Sequence, residues 1–82
     1  MLKDEKIPIA EIYVPTKRRA TLNPETVDRL AAAILEEGQK SAILVRHDGK
    51  RYVLVEGLHR LEACRALGED TVLGILVQAR KH

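Results

Sequence analysis

The sequence predicts an α+β domain in which two helices pack on a small mixed sheet, in the chain order β-α-β-β-α-β. Three observations predict it. Between Asn23 and Gly38, apolar residues recur at helical spacing, bounded by clear start and stop signals. Two runs rich in β-branched or large apolar residues, "AILVRH" and "RYVLVE", flank Asp48-Gly49 as the arms of a hairpin. A second helical stretch around "LHRLEACRAL" meets Gly68 and then the strand-like "TVLGILVQ".

At the N-terminus, "KIPIAEIYVP" begins as a short strand over Ile7 and Ile9 and turns through Ala10 and Glu11. Pro8 and Pro15 argue against a central strand with a full hydrogen-bond ladder. "TKRRATL" follows as a basic loop with no clear period. In the first long helix Asn23 is a good N-cap, Pro24 suits the first turn and Gly38 the exit. Val27, Leu30, Ala31 and Ile34 mark one buried face, and Glu25 and Asp28 lie near the positive end of the helix dipole. The hairpin runs Ile43–Val45 and Tyr52–Val55 barely alternate, which suggests strands covered on more than one side. The last helix is expected over Leu58 to Leu67, closed by Gly68, and "ARKH" at the end of the chain as a frayed tail.

All 82 residues are read as a single domain with its folded part at about residues 6–79. A chain this short leaves little room for an enclosed pocket, so a ligand is expected in a shallow groove. With no Phe or Trp and only Tyr13 and Tyr52, the core must be aliphatic, and base stacking has few platforms. Fourteen basic residues against twelve acidic give a formal charge of +2, too mild to mark a nucleic-acid binder by itself. One cysteine excludes an internal disulfide and a cysteine-rich metal site, and the three histidines show no metal spacing. No apolar run approaches the ~20 residues of a membrane span, and "MLKDEKIPIA" is broken by charges. The expectation is a soluble, cytoplasmic protein with no membrane partner.

The informative stretch is "VEGLHRLEACRALGED", where a strand gives way to a helix through Gly57. A helix N-terminus exposes four unpaired N–H groups and about half a positive charge. His59 and Arg60 fall in that first turn, where the dipole disfavours cations. Two potential cations there imply a shared anion, and phosphate is the common candidate. Gly57 would let it approach the backbone, Arg60 would supply a bidentate contact and His59 a hydrogen bond or second charge. The bland alternative is an ordinary strand-glycine-helix junction with Arg60 reaching to Glu56 or solvent. Lys17, Arg18 and Arg19 could clamp phosphates, although a short basic run is more often a solvated loop. Glu56 could act as a base or a Mg²⁺ ligand beside bound phosphates. Cys64 shares an apolar face with Leu61 and Leu67 and reads as buried and inert.

These segments resemble the ParB/sulfiredoxin superfamily over nearly the whole chain. "RATLNPETVDRLAAAILEEG" is similar to the first box of ParB N-terminal domains, with Arg19 on that box's arginine. "YVLVEGLHRLEACRALGEDTV" is similar to the second box, G-x-x-R-x-x-A, matched in place by Gly57, Arg60 and Ala63. The resemblance implies a nucleotide-phosphate site formed by Gly57, Leu58, His59 and Arg60, with Arg18 and Arg19 closing from the loop. The implied cofactor is a nucleoside triphosphate, CTP or ATP, with Mg²⁺ as a candidate companion. Implied partners are DNA or a DNA-associated protein, and a second copy of the chain paired through the helices, although no apolar stripe is left over beyond what the core needs.

The branches of the superfamily imply different chemistry. Sulfiredoxins carry Gly-Cys-His-Arg at this junction. Here Leu58 replaces the nucleophilic cysteine, so that reaction is not expected. A branch that phosphorylates free serine has an acidic residue before the glycine, loosely matched by Glu56 and His59. The CTP-dependent ParB clamps have G-E-R-R-x-R-A, of which this chain supplies His59 and Arg60, and their Gln-Pro is replaced by Ser41-Ala42. Without helix-turn-helix and dimerisation segments after the last strand, the expectation is a stand-alone ParB N-terminal-like domain that binds a nucleotide or phosphate as a regulatory or DNA-associated module. Three rivals remain at this level: a metal-dependent nuclease, phosphohydrolase or kinase using Glu56; a direct DNA-binding domain using Lys17, Arg18, Arg19 and Arg60; and a protein-interaction surface with a degenerate site.

Overall fold

In the computed structural model, which describes residues 3–77, strand β1 (Asp4–Pro8) runs into a 3₁₀ turn (Ile9–Glu11) and a two-residue strand, β2 (Ile12–Tyr13). Helices α1 (Thr16–Arg19) and α2 (Pro24–Glu37) follow, then the hairpin β3 (Ile43–Asp48) and β4 (Arg51–Glu56), helix α3 (Leu58–Ala66) and strand β5 (Thr71–Leu76). The strands form one mixed sheet in the order β1-β5-β3-β4-β2. β1 and β5, and β3 and β4, pair antiparallel; β2 with β4, and β3 with β5, pair parallel. This is the expected α+β class. Gln78 of the expected last strand and the expected tail Ala79–His82 lie outside the described residues.

Both proline-bearing segments end up at the sheet's two edges, β1 with Pro8 and β2 just ahead of Pro15, where a missing N–H breaks no ladder. The hairpin differs from expectation by one residue. Asp48 belongs to β3 and pairs with Arg51, so the two-residue loop is Gly49-Lys50. The basic loop is also different: "TKRR" winds into the single turn α1, with Arg18 and Arg19 N–H groups both donating to the Pro15 carbonyl.

The core is aliphatic, as the composition requires. Ile7, Ile43, Val45, Leu54 and Val72 from the strands meet Leu58, Leu61 and Cys64 of α3 on one face of the sheet. Each aliphatic side chain fully removed from water contributes about 1.5–3 kcal/mol. The expectation of strands covered on both sides is corrected by β4. Leu54 faces this core, whereas Val53 lies on the opposite face and is buried all the same. There its register partners are Arg46 and Tyr13, and the Arg51 guanidinium stacks 4.1 Å above the Tyr13 ring. Long neighbouring side chains, and not a second layer, hide Val53.

Helix α2 corrects a second expectation. Its predicted face of Val27, Leu30, Ala31 and Ile34 is only half-buried, because α2 packs chiefly on α3. Of that face, Ile34 reaches the core cluster, while Leu35 stands 77% exposed. Its ends match the sequence signals: Asn23 Oδ1 accepts from the Glu25 and Thr26 N–H groups, Pro24 opens the first turn, and Gly38 follows the last.

A residue the sequence did not single out completes the sheet. β3 joins β5 only from Ile43, opposite Gly74, so the backbone of Leu73 extends past the start of β3. The Gln39 side chain fills the gap. Its Oε1 accepts the Leu73 N–H at 2.9 Å and its Nε2 donates to the Leu73 carbonyl at 2.9 Å and to the Ser41 carbonyl at 2.9 Å. One amide thereby imitates the missing strand residue. Gln39→Ala should lower the unfolding free energy by about 1–3 kcal/mol, the cost of stranding partly buried backbone groups; urea denaturation measures this, with accelerated amide exchange expected at Leu73.

Candidate functional site at the β4–α3 junction

The junction is shaped by Gly57. Its φ of 111° and ψ of 30° lie in the left-handed region, where a Cβ is strained. A Cβ built there would also sit 2.7 Å from Ile43 Cγ2 and 2.9 Å from Ile43 Cβ, closer than any real contact. Sequence reasoning assigned this glycine to ligand approach. The structure supplies a different reason: β4 must turn sharply into α3 while its backbone presses against a fully buried strand residue. The exit of α3 is just as well defined. The Glu69 N–H donates to the Cys64 carbonyl at 3.1 Å and the Gly68 N–H to the Arg65 carbonyl at 3.0 Å, the paired bonds of a Schellman ending around Gly68 at φ 79°.

Between these glycines α3 splits its residues by role. Leu58 is 6% exposed and belongs to the core, so of the proposed phosphate-contacting set its side chain is removed; only its backbone N–H remains for a ligand. His59 and Arg60 are half-buried and Glu56 is exposed at the end of β4. Ala63, the small residue of the G-x-x-R-x-x-A pattern, is fully buried. Cys64 is buried as expected. Burial pushes its thiol pKa up, Glu69 adds to the rise, and Arg60 opposes it, so the reactive thiolate is disfavoured. Its thiol points a long, weak hydrogen bond of 3.9 Å at Gln39 Oε1.

Among the described residues, no side chain caps the first turn of α3. Among the described residues, ion pairs join Lys40 to Glu37 and Arg65 to Glu62, and neither Arg60 nor Arg19 belongs to one. Of the bland alternative, the Arg60–Glu56 pair is therefore not formed, while an Arg60 that reaches to solvent agrees with this structure. His59 is engaged: its Nε2 accepts the backbone N–H of Asn23 at 3.0 Å. This bond brings the end of the 15–23 segment to the start of α3. Lys17, Arg18 and Arg19 are all exposed on α1, but successive helical residues project about 100° apart, so they do not form one planar clamp. Arg19 is the nearest of the three in sequence to Asn23.

A groove of about 340 Å³ runs along the α2–α3 seam, lined by Leu22, Pro24, Val27, Asp28, Glu62 and Arg65. Asp28 and Glu62 make it poorly suited to phosphate. Among the described residues, no three His, Cys, Asp or Glu side chains gather as a metal cluster, and no helix is long and apolar enough to cross a membrane.

The family model of the ParB N-terminal domain matches residues 2–82. The chain belongs to the ParB N-terminal domain family. A probable chromosome-partitioning protein ParB of Campylobacter jejuni is 32% identical over 62 residues, 76% of this chain and 22% of that protein. The chain thus spans about a fifth of the length of that curated relative. Among solved structures, sulfiredoxin from Arabidopsis thaliana superposes with a TM-score of 0.78 at 24% identity, covering 96% of this chain and 86% of that one; this shows a shared fold. The C-terminally truncated ParB of Caulobacter crescentus matches in two complexes. With CTP-γ-S the TM-score is 0.76 at 26% identity, covering 98% of this chain and 46% of that one. Bound to the centromeric parS site it is 0.76 at 25% identity, covering 94% and 40%. The expected ParB/sulfiredoxin membership and fold are both borne out.

Gly57→Ala should destabilise the domain by about 2–4 kcal/mol, combining left-handed strain with overpacking against Ile43. Thermal and chemical denaturation would check this; a variant as stable as the parent would mean the junction relaxes freely.

Proposed function

We propose that this ParB N-terminal domain binds a nucleoside triphosphate at the first turn of α3, as a regulatory module for a DNA-associated partner. One observation carries the reading: an uncapped helix N-terminus holds Arg60 in its first turn, and Arg60 has no carboxylate partner among the described residues. The free N–H groups and the helix dipole supply a phosphate cradle. Arg60 adds a planar donor pair for phosphate oxygens, and Arg19 and Arg18, exposed on α1, would close on the phosphates from the segment that His59 joins to α3. Leu58 contributes its N–H alone.

CTP is the first candidate, because the Caulobacter crescentus ParB matched over nearly all of this chain is complexed with CTP-γ-S. Ser41 and Ala42 stand where the family pattern has Gln-Pro, so the contact to the base differs, and ATP and GTP belong in the same test. Mg²⁺ would arrive with the phosphates, which together with waters and at most one or two carboxylates make its usual shell; Glu56, exposed beside Gly57, is the nearest carboxylate in sequence. Nucleotide binding is the proposed activity, and the sulfiredoxin reaction is not, since the residue at the sulfiredoxin nucleophile position is a core leucine.

Calorimetric titration with CTP, ATP, GTP, ADP and inorganic phosphate, each with and without Mg²⁺, tests the reading. A true ligand at a hundredfold excess over its Kd should stabilise the fold by about 2.7 kcal/mol. Arg60→Ala should abolish that binding while lowering the unfolding free energy by no more than about 1 kcal/mol, since the half-buried side chain loses some packing. An unchanged Kd in that variant would remove the assignment.

A second reading, direct DNA contact, is favoured by the exposed cations Lys17, Arg18 and Arg19 on α1. If they meet phosphates, the logarithm of the DNA affinity should fall against log salt with a slope of about −0.9 per neutralised phosphate. Removing all three charges should flatten the slope by roughly that amount for each phosphate they had neutralised; a slope unmoved by the triple substitution would exclude them.

A further inference from the structure

We propose that His59 is a positioning residue: it straps the α1–α2 connection to α3 and works as a neutral hydrogen-bond acceptor, not as a second cation for phosphate. The geometry is specific. His59 Nε2 accepts the Asn23 N–H at 3.0 Å across 36 residues of sequence. A ring nitrogen that accepts carries no proton, so in this arrangement the imidazole is neutral with its hydrogen on Nδ1. An imidazolium has no lone pair to offer and would release Asn23.

The bond occupies a place that α2 leaves open for itself. Asn23 caps α2 through Oδ1, which accepts from the Glu25 and Thr26 N–H groups. In a capping box the residue three positions on, a Glu or Gln, reaches back to the N–H of the capping residue. Here that position is Thr26, and the return bond comes from His59 on another helix. The N-terminus of α2 is thus completed by α3.

What the strap holds is a unit. From Pro15 to Leu22, next to Asn23, the backbone is wound by successive short-range bonds, Arg18 and Arg19 N–H to the Pro15 carbonyl, Ala20 to Thr16, Thr21 to Arg18 and Leu22 to Arg19. Fixing Asn23 therefore fixes the approach of Arg19. At the other end His59 sits between Leu58, which is buried in the core, and Arg60, with fully buried Leu61 one residue further on, so the strap is tied to a rigid element. The cationic share of the site then falls to Arg60 from one side and Arg19 from the other. Its consequence for binding rests on the nucleotide reading above; the strap itself does not.

Three variants and two measurements test this. Amide exchange at Asn23, followed by ¹⁵N NMR without ligand, reads the strap; titration with CTP reads the site. His59→Gln, whose amide oxygen can accept but never becomes cationic, should keep Asn23 protected and leave the CTP Kd within about twofold. His59→Ala should speed Asn23 exchange and weaken CTP binding, each by about two- to tenfold, the range for one lost hydrogen bond. Arg60→Ala should lose CTP while Asn23 stays protected. Asn23 exchanging equally fast in the parent and in His59→Ala would overturn the strap. Loss of CTP binding in His59→Gln as complete as in Arg60→Ala would overturn the neutral-acceptor role. If the parent binds no CTP, the nucleotide reading fails and the exchange measurement alone decides the strap. If His59→Ala fails to fold, the parent's imidazole ¹⁵N spectrum decides: a proton on Nδ1 supports the strap, and one on Nε2 overturns it.

Discussion

The contact between the Gly57 backbone and Ile43 governs the rest of this domain. Ile43 is fully buried and begins the strand that lies between β5 and β4. Pressing the β4–α3 turn onto it sets where α3 starts and which of its faces turns down. Leu58, Leu61 and Cys64, three residues apart, then drop onto the sheet, while His59 and Arg60 are left at the rim of the first turn. A larger residue at 57 would have to move either the strand or the helix, and in a close-packed interior neither moves cheaply.

From that placement the remaining layers follow in sequence. Helix α2 leans chiefly on α3, so it depends on α3 for most of its burial and, through the Asn23–His59 bond, for its N-terminal end. A helix with a half-buried face gains little from its own propensity, since helical stability in proteins comes mostly from packing. The short α1 turn depends in turn on Asn23. Gln39 acts comparably at the opposite end of α2, binding Leu73 where β3 falls short. Helix α2 is thus tied by polar bonds near both of its ends, to α3 through Asn23 and to β5 through Gln39.

The electrostatics of the junction are consistent with this hierarchy. Cations beside a helix N-terminus are unfavourable by some tenths of a kcal/mol to about 1 kcal/mol each. A neutral His59 removes one of the two conflicts that the sequence displays. Arg60 keeps the other. At Cys64 burial and then Glu69 push the thiol pKa up and the Arg60 guanidinium pulls it down, while among the described residues no carboxylate forms an ion pair with Arg60. In the proposed function, a bound anion complements that guanidinium and the uncapped first turn of α3.

Sequence alone determined the fold class, both long helices with their caps, the exclusion of the Pro8 strand from the centre of the sheet and the burial of Cys64. These are local properties, written in spacing and in residues such as Asn23, Pro24 and Gly68 whose backbone preferences act within a few positions. It also located the junction, because a glycine followed by His59 and Arg60 in a first turn conflicts with the dipole whatever the surroundings. Only the tertiary structure decided why Gly57 is glycine, where the Gln39 amide goes, that Val53 is buried without a second layer, and that His59 is occupied by Asn23. Each of these depends on a partner far away in the chain, and linear spacing carries no record of which distant groups a fold will bring within bonding distance.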